Sequence, residues 1–190
     1  MINHSLLRAS ISNRLPLRPV ESQALKFLLP LSDDYPNIEN WFEQTVVPGL
    51  REGTRTLICV ERNGGIVGVG IGKNDLSEKK ICTVRVCPSY FGRGIGLRLF
   101  DALLHWVGTD QPHLTVSQAK LPAFDRIFER YRFRYSSSLV GRYIPGKTEI
   151  SYNEASLLAQ SPASNLSTSS SISKPFVTNP INIGTPRFVA

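Results

Sequence analysis

Three glycines at alternate positions, Gly92, Gly94 and Gly96, occupy the run Phe91-Gly92-Arg93-Gly94-Ile95-Gly96, between a β-branched segment and an apolar segment of helical spacing. Several consecutive main-chain N–H groups can turn outward there, at the opening of a helix whose dipole favours negative charge. The turn is therefore a candidate cradle for a pyrophosphate. Residue types at this turn exclude two other phosphate loops. A dinucleotide fingerprint needs a third glycine where Leu97 stands, and a Walker loop needs Lys and then Ser or Thr after the last glycine, where the chain has Leu97 and Arg98. Glycines that only permit tight backbone geometry satisfy the same pattern.

The other reactive side chains carry weaker signals. Cys59, Cys82 and Cys87 are odd in number and form no C-x-x-C pair, so neither a disulfide framework nor a metal site is expected. They read as small apolar residues of strands in a reducing compartment. His105 falls among the polar positions of a helix and His113 just before a strand, where surface or packing roles account for them. Asp33, Asp34, Glu39 and Glu43 gather around a polar break and could attract a cationic amine, or simply form a solvated acidic surface. Arg126, Arg130, Arg132 and Arg134 form the densest basic run, read either as cations at a helix C-terminus or as contacts for a polyanion.

Elements must position these groups. Residues 15–20 are a strand candidate that Pro16 and Pro19 restrict to an edge. Ser22 can cap a helix to about Leu29, and residues 38–50 return to helical periodicity with Pro48 in the last turn. Residues 54–62 and 66–73 are β-branched and flank Asn63-Gly64-Gly65, suited to the positive φ angles of a hairpin turn. Residues 79–87 make a further strand that ends at Pro88. Beyond the glycine turn, Leu97, Phe100, Leu103, Leu104 and Val107 fall at helical spacing, with Gly108 placed to stop the helix. Residues 113–117 form a strand, and Pro122 opens a helix on which Phe124, Ile127, Phe128 and Tyr131 share one face. Strands at 134–142 and 148–152 complete the order. The step across 79–117 should be a parallel crossover.

At 190 residues and 41% hydrophobic content, the chain can build one domain with a modest appendage. Residues 154–190 crowd serines and prolines and bury too little apolar surface to offset their ordering entropy, so they read as a disordered tail. Residues 1–13 are an N-terminal extension and 14–153 the domain. The formal charge is +7 for the whole chain and +5 for residues 14–153, which suits polyanions in general. No secretory signal and no run of about 18 apolar residues occurs, so the expectation is a cytoplasmic protein without a membrane partner.

The stretch Thr83-Val84-Arg85-Val86-Cys87-Pro88-Ser89-Tyr90-Phe91-Gly92-Arg93-Gly94-Ile95-Gly96 closely resembles motif A of the GNAT acyltransferase superfamily. Leu17-Arg18-Pro19 is similar to a common first strand of that family, and Phe128-Glu129-Arg130-Tyr131-Arg132-Phe133 to its late helix and following strand. The resemblance runs from about Leu15 to Asn153. It implies an α+β, mixed α/β fold, with a central, mostly antiparallel sheet of about seven strands flanked by about four helices. It also implies an N-acetyltransferase that uses acetyl-CoA as acyl donor. Phe91 stands where the family has a polar residue, and Phe128 where it often has the tyrosine that protonates the departing thiolate.

On that resemblance, Val84, Arg85 and Val86 pair with the pantetheine arm, and Phe91, Gly92, Arg93, Gly94, Ile95, Gly96 and Leu97 hold the pyrophosphate. An amide near Val86 donates to the thioester carbonyl, and an amine attacks directly, so no nucleophilic cysteine is needed. With Phe128 lacking a hydroxyl, Tyr131 and Ser117 are the substitute acids, and a water relay serves as base because residues 81–87 contain no acid. No metal is expected. The partners are acetyl-CoA and an amine, with a homodimer compatible. Two other readings stay open: a non-catalytic CoA- or anion-binding module on the same scaffold, and a nucleic-acid acceptor such as aminoacylated transfer RNA, which some relatives acetylate.

Overall fold

The computed structural model describes residues 14–154; the expected extension at 1–13 and all but the first residue of the expected tail lie outside them. Helix α1 (Pro19–Leu28) opens with Pro19, a residue without an N–H where the helix needs none, and the Glu21 carboxylate accepts the Arg18 N–H at 2.8 Å. That carboxylate is 2% exposed and is also held by the Arg51 guanidinium at 2.8 Å. The strand expected at 15–20 is thus absent. Pro19 starts a helix instead, and Ser22 lies inside its first turn rather than capping it.

A second helical rod is built from α2 (Ile38–Trp41), a widened π turn (Phe42–Val46) and α3 (Val47–Glu52). The Val47 N–H reaches five residues back to Phe42, immediately before Pro48, whose ring clashes with the carbonyl four residues back and which offers no N–H to that turn. Gly53, at φ 75°, ends the rod.

Six strands follow in two three-stranded antiparallel sheets. β1 (Arg55–Arg62), β2 (Gly65–Asn74) and β3 (Lys79–Val86) form the first, in that order. Asn63 and Gly64, at φ 52° and 75°, make the expected hairpin turn between β1 and β2. β4 (Leu114–Ser117), β5 (Tyr135–Val140) and β6 (Thr148–Tyr152) form the second, in the order β4-β6-β5. One parallel bridge joins the sheets: His113 N–H donates to Lys79 O and Ile81 N–H to His113 O, each at 2.9 Å. The architecture is α+β with six strands among the described residues rather than about seven, the missing one being the unformed strand expected at 15–20.

Helix α4 (Ile95–Val107), ended by Gly108 at φ 69°, lies directly on β2. Gly68, Gly70 and Gly72 make that approach possible, since a Cβ at Gly68 would stand 2.8 Å from Ile95 Cγ2 and one at Gly70 would stand 3.0 Å from Leu103 Cδ1. The intervening Val69 and Ile71 point the other way, into a core with Ala24, Leu28, Phe42 and Val46. On the α4 side, α5 (Leu121–Tyr131) seats Phe128 against Phe100, Phe133 and Tyr152. The glycine turn is thereby fixed relative to the sheet by close packing along the whole of α4.

Candidate functional site

The chain leaves β3 at Cys87, makes a short 3-10 turn at Pro88–Tyr90 and enters α4 through Gly92 and Gly94, both at φ 74°. A Cβ at either glycine would meet nothing within 4 Å, so what demands glycine is the left-handed backbone and not a lack of space. Gly94 is the N-cap of α4 with no side-chain cap, and the first amides of a helix have no partner within it. Among the described residues, no backbone carbonyl accepts from Gly92, Arg93 or Gly94. The Phe91 amide is engaged with Pro88 O at 3.1 Å, while its ring is 62% exposed. Arg93 stacks on Tyr90 at 5.1 Å. Ile95 is buried, whereas Gly92, Arg93 and Gly94 are exposed.

Strand β3 supplies the second half of the arrangement. Cys87 N–H donates to Val67 O on β2 at 2.8 Å, so alternation along the strand turns the Val84 and Val86 amides away from β2, toward β4. Ile81 also faces β4, where its N–H is bonded. Both can hold because the register slips at Cys82: Ile71 pairs with Thr83 but Gly72 with Ile81. β3 is therefore bridged to β4 at its beginning and open beside it further on. The Arg85 side chain takes the other face, donating to Phe27 O and stacking over the Phe27 ring at 4.4 Å.

A cavity of about 490 Å³ occupies the split between β3 and β4. Val84, Phe100, Val116 and Phe128 line its apolar part, and Tyr35 and Trp41 its far side. Ser117 is buried, and its Oγ has no hydrogen-bond partner. It sits opposite Glu149, whose Oε2 is likewise buried and unpartnered, while Tyr35 donates to Glu149 Oε1 at 3.4 Å. Burial pushes the Glu149 carboxyl above its usual range and raises the Tyr35 hydroxyl. Tyr131, like Ser117 and Glu149, is not among the residues lining the cavity; its hydroxyl donates to Asp101 Oδ1 at 2.5 Å and its ring stacks on Phe100 at 6.0 Å. Desolvation, reinforced by Asp101, pushes that hydroxyl up to about 12.

The structure thus brings Val84 and Val86 to the open edge of β3 and Ser117 to the neighbouring strand, and places Gly92, Gly94, Gly96 and Leu97 at the mouth of α4. The remaining reactive groups are otherwise engaged. His113 clasps Glu78 Oε1 at 2.6 Å and Ser151 Oγ at 3.1 Å, and His105 is exposed. Burial pushes the Cys59 thiol up to about 11, and all three cysteines are free. Asp34 is paired with Lys120 and Lys147 and Glu43 with Arg14, and none of Asp33, Asp34, Glu39 and Glu43 lines the cavity. Arg126, Arg130, Arg132 and Arg134 are exposed.

Sequence reasoning missed Tyr35, Glu149 and the cavity's basic residues, which arrive from distant elements without a shared spacing. A weak signal did exist in β6, where Glu149 and Ser151 are the buried members of an alternating strand. Residues 141–148 also spell Gly-x-x-x-x-Gly-Lys-Thr. Here that run is the β5–β6 hairpin, not a strand-loop-helix, and Lys147 is bound to Asp34 and the Asp33 carbonyl, so it builds no phosphate loop.

Residues 20–123 match the model of the acetyltransferase (GNAT) family. Comparison with curated protein sequences finds no match. Among solved structures, one described as a GNAT acetyltransferase from Desulfovibrio desulfuricans superposes with a TM-score of 0.57 at 17% identity, over 72% of this chain and 93% of that one. A GNAT-family acetyltransferase from Streptococcus pneumoniae gives 0.54 at 14% identity, over 70% and 91%. An aminoglycoside 6'-N-acetyltransferase complexed with coenzyme A gives 0.50 at 18% identity, over 71% and 90%. At these identities the structures speak for the fold, while the family match spans more than half of the chain and contains the glycine turn. The chain belongs to the GNAT acetyltransferase family.

Proposed function

We propose that this protein is an N-acetyltransferase that passes the acetyl group of acetyl-CoA directly to an amine. The observation that carries the reading is the pair of left-handed glycines at the uncapped start of α4, adjoining the open edge of β3. The cradle has room for a diphosphate, since an atom added at Gly92 or Gly94 meets nothing within 4 Å. Amides of residues 92–97 hold the diphosphate, and the main chain at Val84, Arg85 and Val86 guides the pantetheine arm.

Acetyl-CoA supplies the activated thioester. The acceptor nitrogen adds its lone pair to the carbonyl carbon, and the Val86 amide donates to the oxygen on which negative charge develops, an interaction worth roughly 3–4 kcal/mol in other enzymes. As the carbon–sulfur bond breaks, the thiolate takes a proton and the new amide loses one. Of the two candidate acids, Ser117 is favoured over Tyr131, because its hydroxyl is buried and uncommitted while that of Tyr131 is given to Asp101. The amine's proton leaves through water toward Glu149, whose Oε2 has no other partner. A protein thiol's pKa is about 8.5, so a comparable leaving group needs only modest help.

Phe128, buried where relatives often carry a tyrosine, favours a second reading in which the scaffold binds CoA without turnover. Calorimetry with acetyl-CoA, followed by thiol release in the presence of an amine panel, separates the two. Micromolar binding with amine-dependent thiol release is expected. Binding without release would establish the second reading, and no binding at millimolar acetyl-CoA would overturn both.

A further inference from the structure

The cavity's charge is lopsided. Arg55, Lys73, Lys80, Lys120 and Arg142 line it, and Glu78 is the one acidic residue among them. Three of the cations are matched: Lys73 Nζ lies 3.1 Å from both Asp75 and Glu78, Lys80 lies 3.8 Å from Glu78, and Lys120 pairs with Asp34. Arg55 is not. Among the described residues, no carboxylate comes within ion-pair distance of Arg55, which donates to the Cys82 sulfur at 3.3 Å; Arg142 is exposed, rests over the Tyr143 ring at 5.7 Å and favours the charge of the Glu149 carboxylate. A thiol is a weak acceptor, so the half-buried Arg55 fork of five donors is left mostly without a partner.

The acetyl donor cannot be what Arg55 awaits. Lys80 and Val86 are six residues apart on β3, roughly 20 Å at strand spacing, and the glycine turn lies beyond Val86. In the strand ladder Arg55 pairs with Lys73 and Lys73 with Lys80, so these three cations line the end of the cavity away from the diphosphate cradle, where an acceptor approaches the split between β3 and β4. The aromatic rings of Tyr35, Trp41 and Tyr143 also line the cavity.

The geometry points to an acceptor that carries an anionic group, a carboxylate or a phosphate, next to its amine, with Arg55 gripping that group inside the cavity. Guanidinium forks match both anions in shape and charge, which a simple amine would not exploit. The inference rests on the acetyl-transfer reading and adds the class of acceptor. Of the two readings of the acids at 33–43 it favours the acidic surface over a lure for a cation, because Asp34 and Glu43 are paired with basic residues and none of the four lines the cavity.

The test is calorimetric titration of the full chain, saturated with CoA, with matched amines: L-phenylalanine against phenethylamine, and O-phosphoethanolamine against ethanolamine. The expected result is that at least one anionic member binds roughly tenfold or more tightly than its neutral counterpart, with the pair that responds identifying carboxylate or phosphate. Arg55→Gln should erase that preference while leaving the CoA affinity within about twofold of wild type. If no anionic member outbinds its counterpart, whether both bind or neither does, the inference is overturned. Thiol release from acetyl-CoA, assayed in parallel over the wider amine panel, then tells whether acetyl transfer itself survives. Failure to bind CoA at all would defeat both conclusions together.

Discussion

At the end of β3 that runs into the glycine turn, the groups available to a ligand are main-chain amides from consecutive residues. In and around the cavity beside the same strand they are side chains drawn from positions as distant as Tyr35 and Arg142. The first region is defined by conformation: two backbones at φ 74° and a helix start without a side-chain cap. The second is defined by composition: the buried Ser117 hydroxyl and Glu149 carboxyl, each with an unpartnered oxygen, and the half-buried Arg55 guanidinium. A site made of backbone tolerates almost any side chain that keeps its φ angles, whereas a site made of side chains can be retuned one residue at a time. The donor end should accordingly fail all at once and the acceptor end by degrees.

Gly94→Asp should break the donor end most severely. Asp tolerates the left-handed region, so the fold should persist by circular dichroism, while the carboxylate at the helix mouth should weaken acetyl-CoA binding by roughly 100-fold or more in calorimetry. Gly70→Val attacks the support instead. Its side chain would press on Leu103, and a stability loss of roughly 1–3 kcal/mol is expected from the urea midpoint, with weaker CoA binding because α4 must shift.

At the acceptor end, Ser117→Ala should lower kcat about tenfold with unchanged acetyl-CoA affinity and no loss of stability, since it removes a buried hydroxyl that has no partner. Tyr131→Phe is its control and should leave kcat within about twofold; a larger fall would transfer the acid's role to Tyr131. The smallest effect concerns Glu149. Its folded carboxyl is raised above the ordinary value of 4.5, chiefly by burial, so its contribution to stability is full below that value and is lost as pH rises through the folded one. Glu149→Gln should flatten that decline when urea midpoints are followed upward from pH 4.

Local signals were the readable ones. The Asn63-Gly64 hairpin, the helix closed by Gly108 and the glycine turn each rest on a few adjacent residues whose backbone preferences agree. Residues 15–20 read as an edge strand limited by Pro16 and Pro19, but Pro19 and the Glu21 carboxylate commit the chain to a helix first. The glycines at 68, 70 and 72 were plain in the sequence. Their purpose was not, because it depends on α4 lying over them. Glu149 and Arg55 were beyond reach for a related reason: each becomes notable only when β6 and β1 fold beside elements many residues away.

The slip of register at Cys82 has a reach greater than its size. One surplus residue shifts the phase of the strand, so β3 can fasten to β4 through Ile81 and then, without changing direction, offer Val84 and Val86 to the gap between them. Were all eight residues paired regularly, with Cys82 in the ladder and Ile81 still fastened to β4, those two amides would turn to β2 and the groove would close from within.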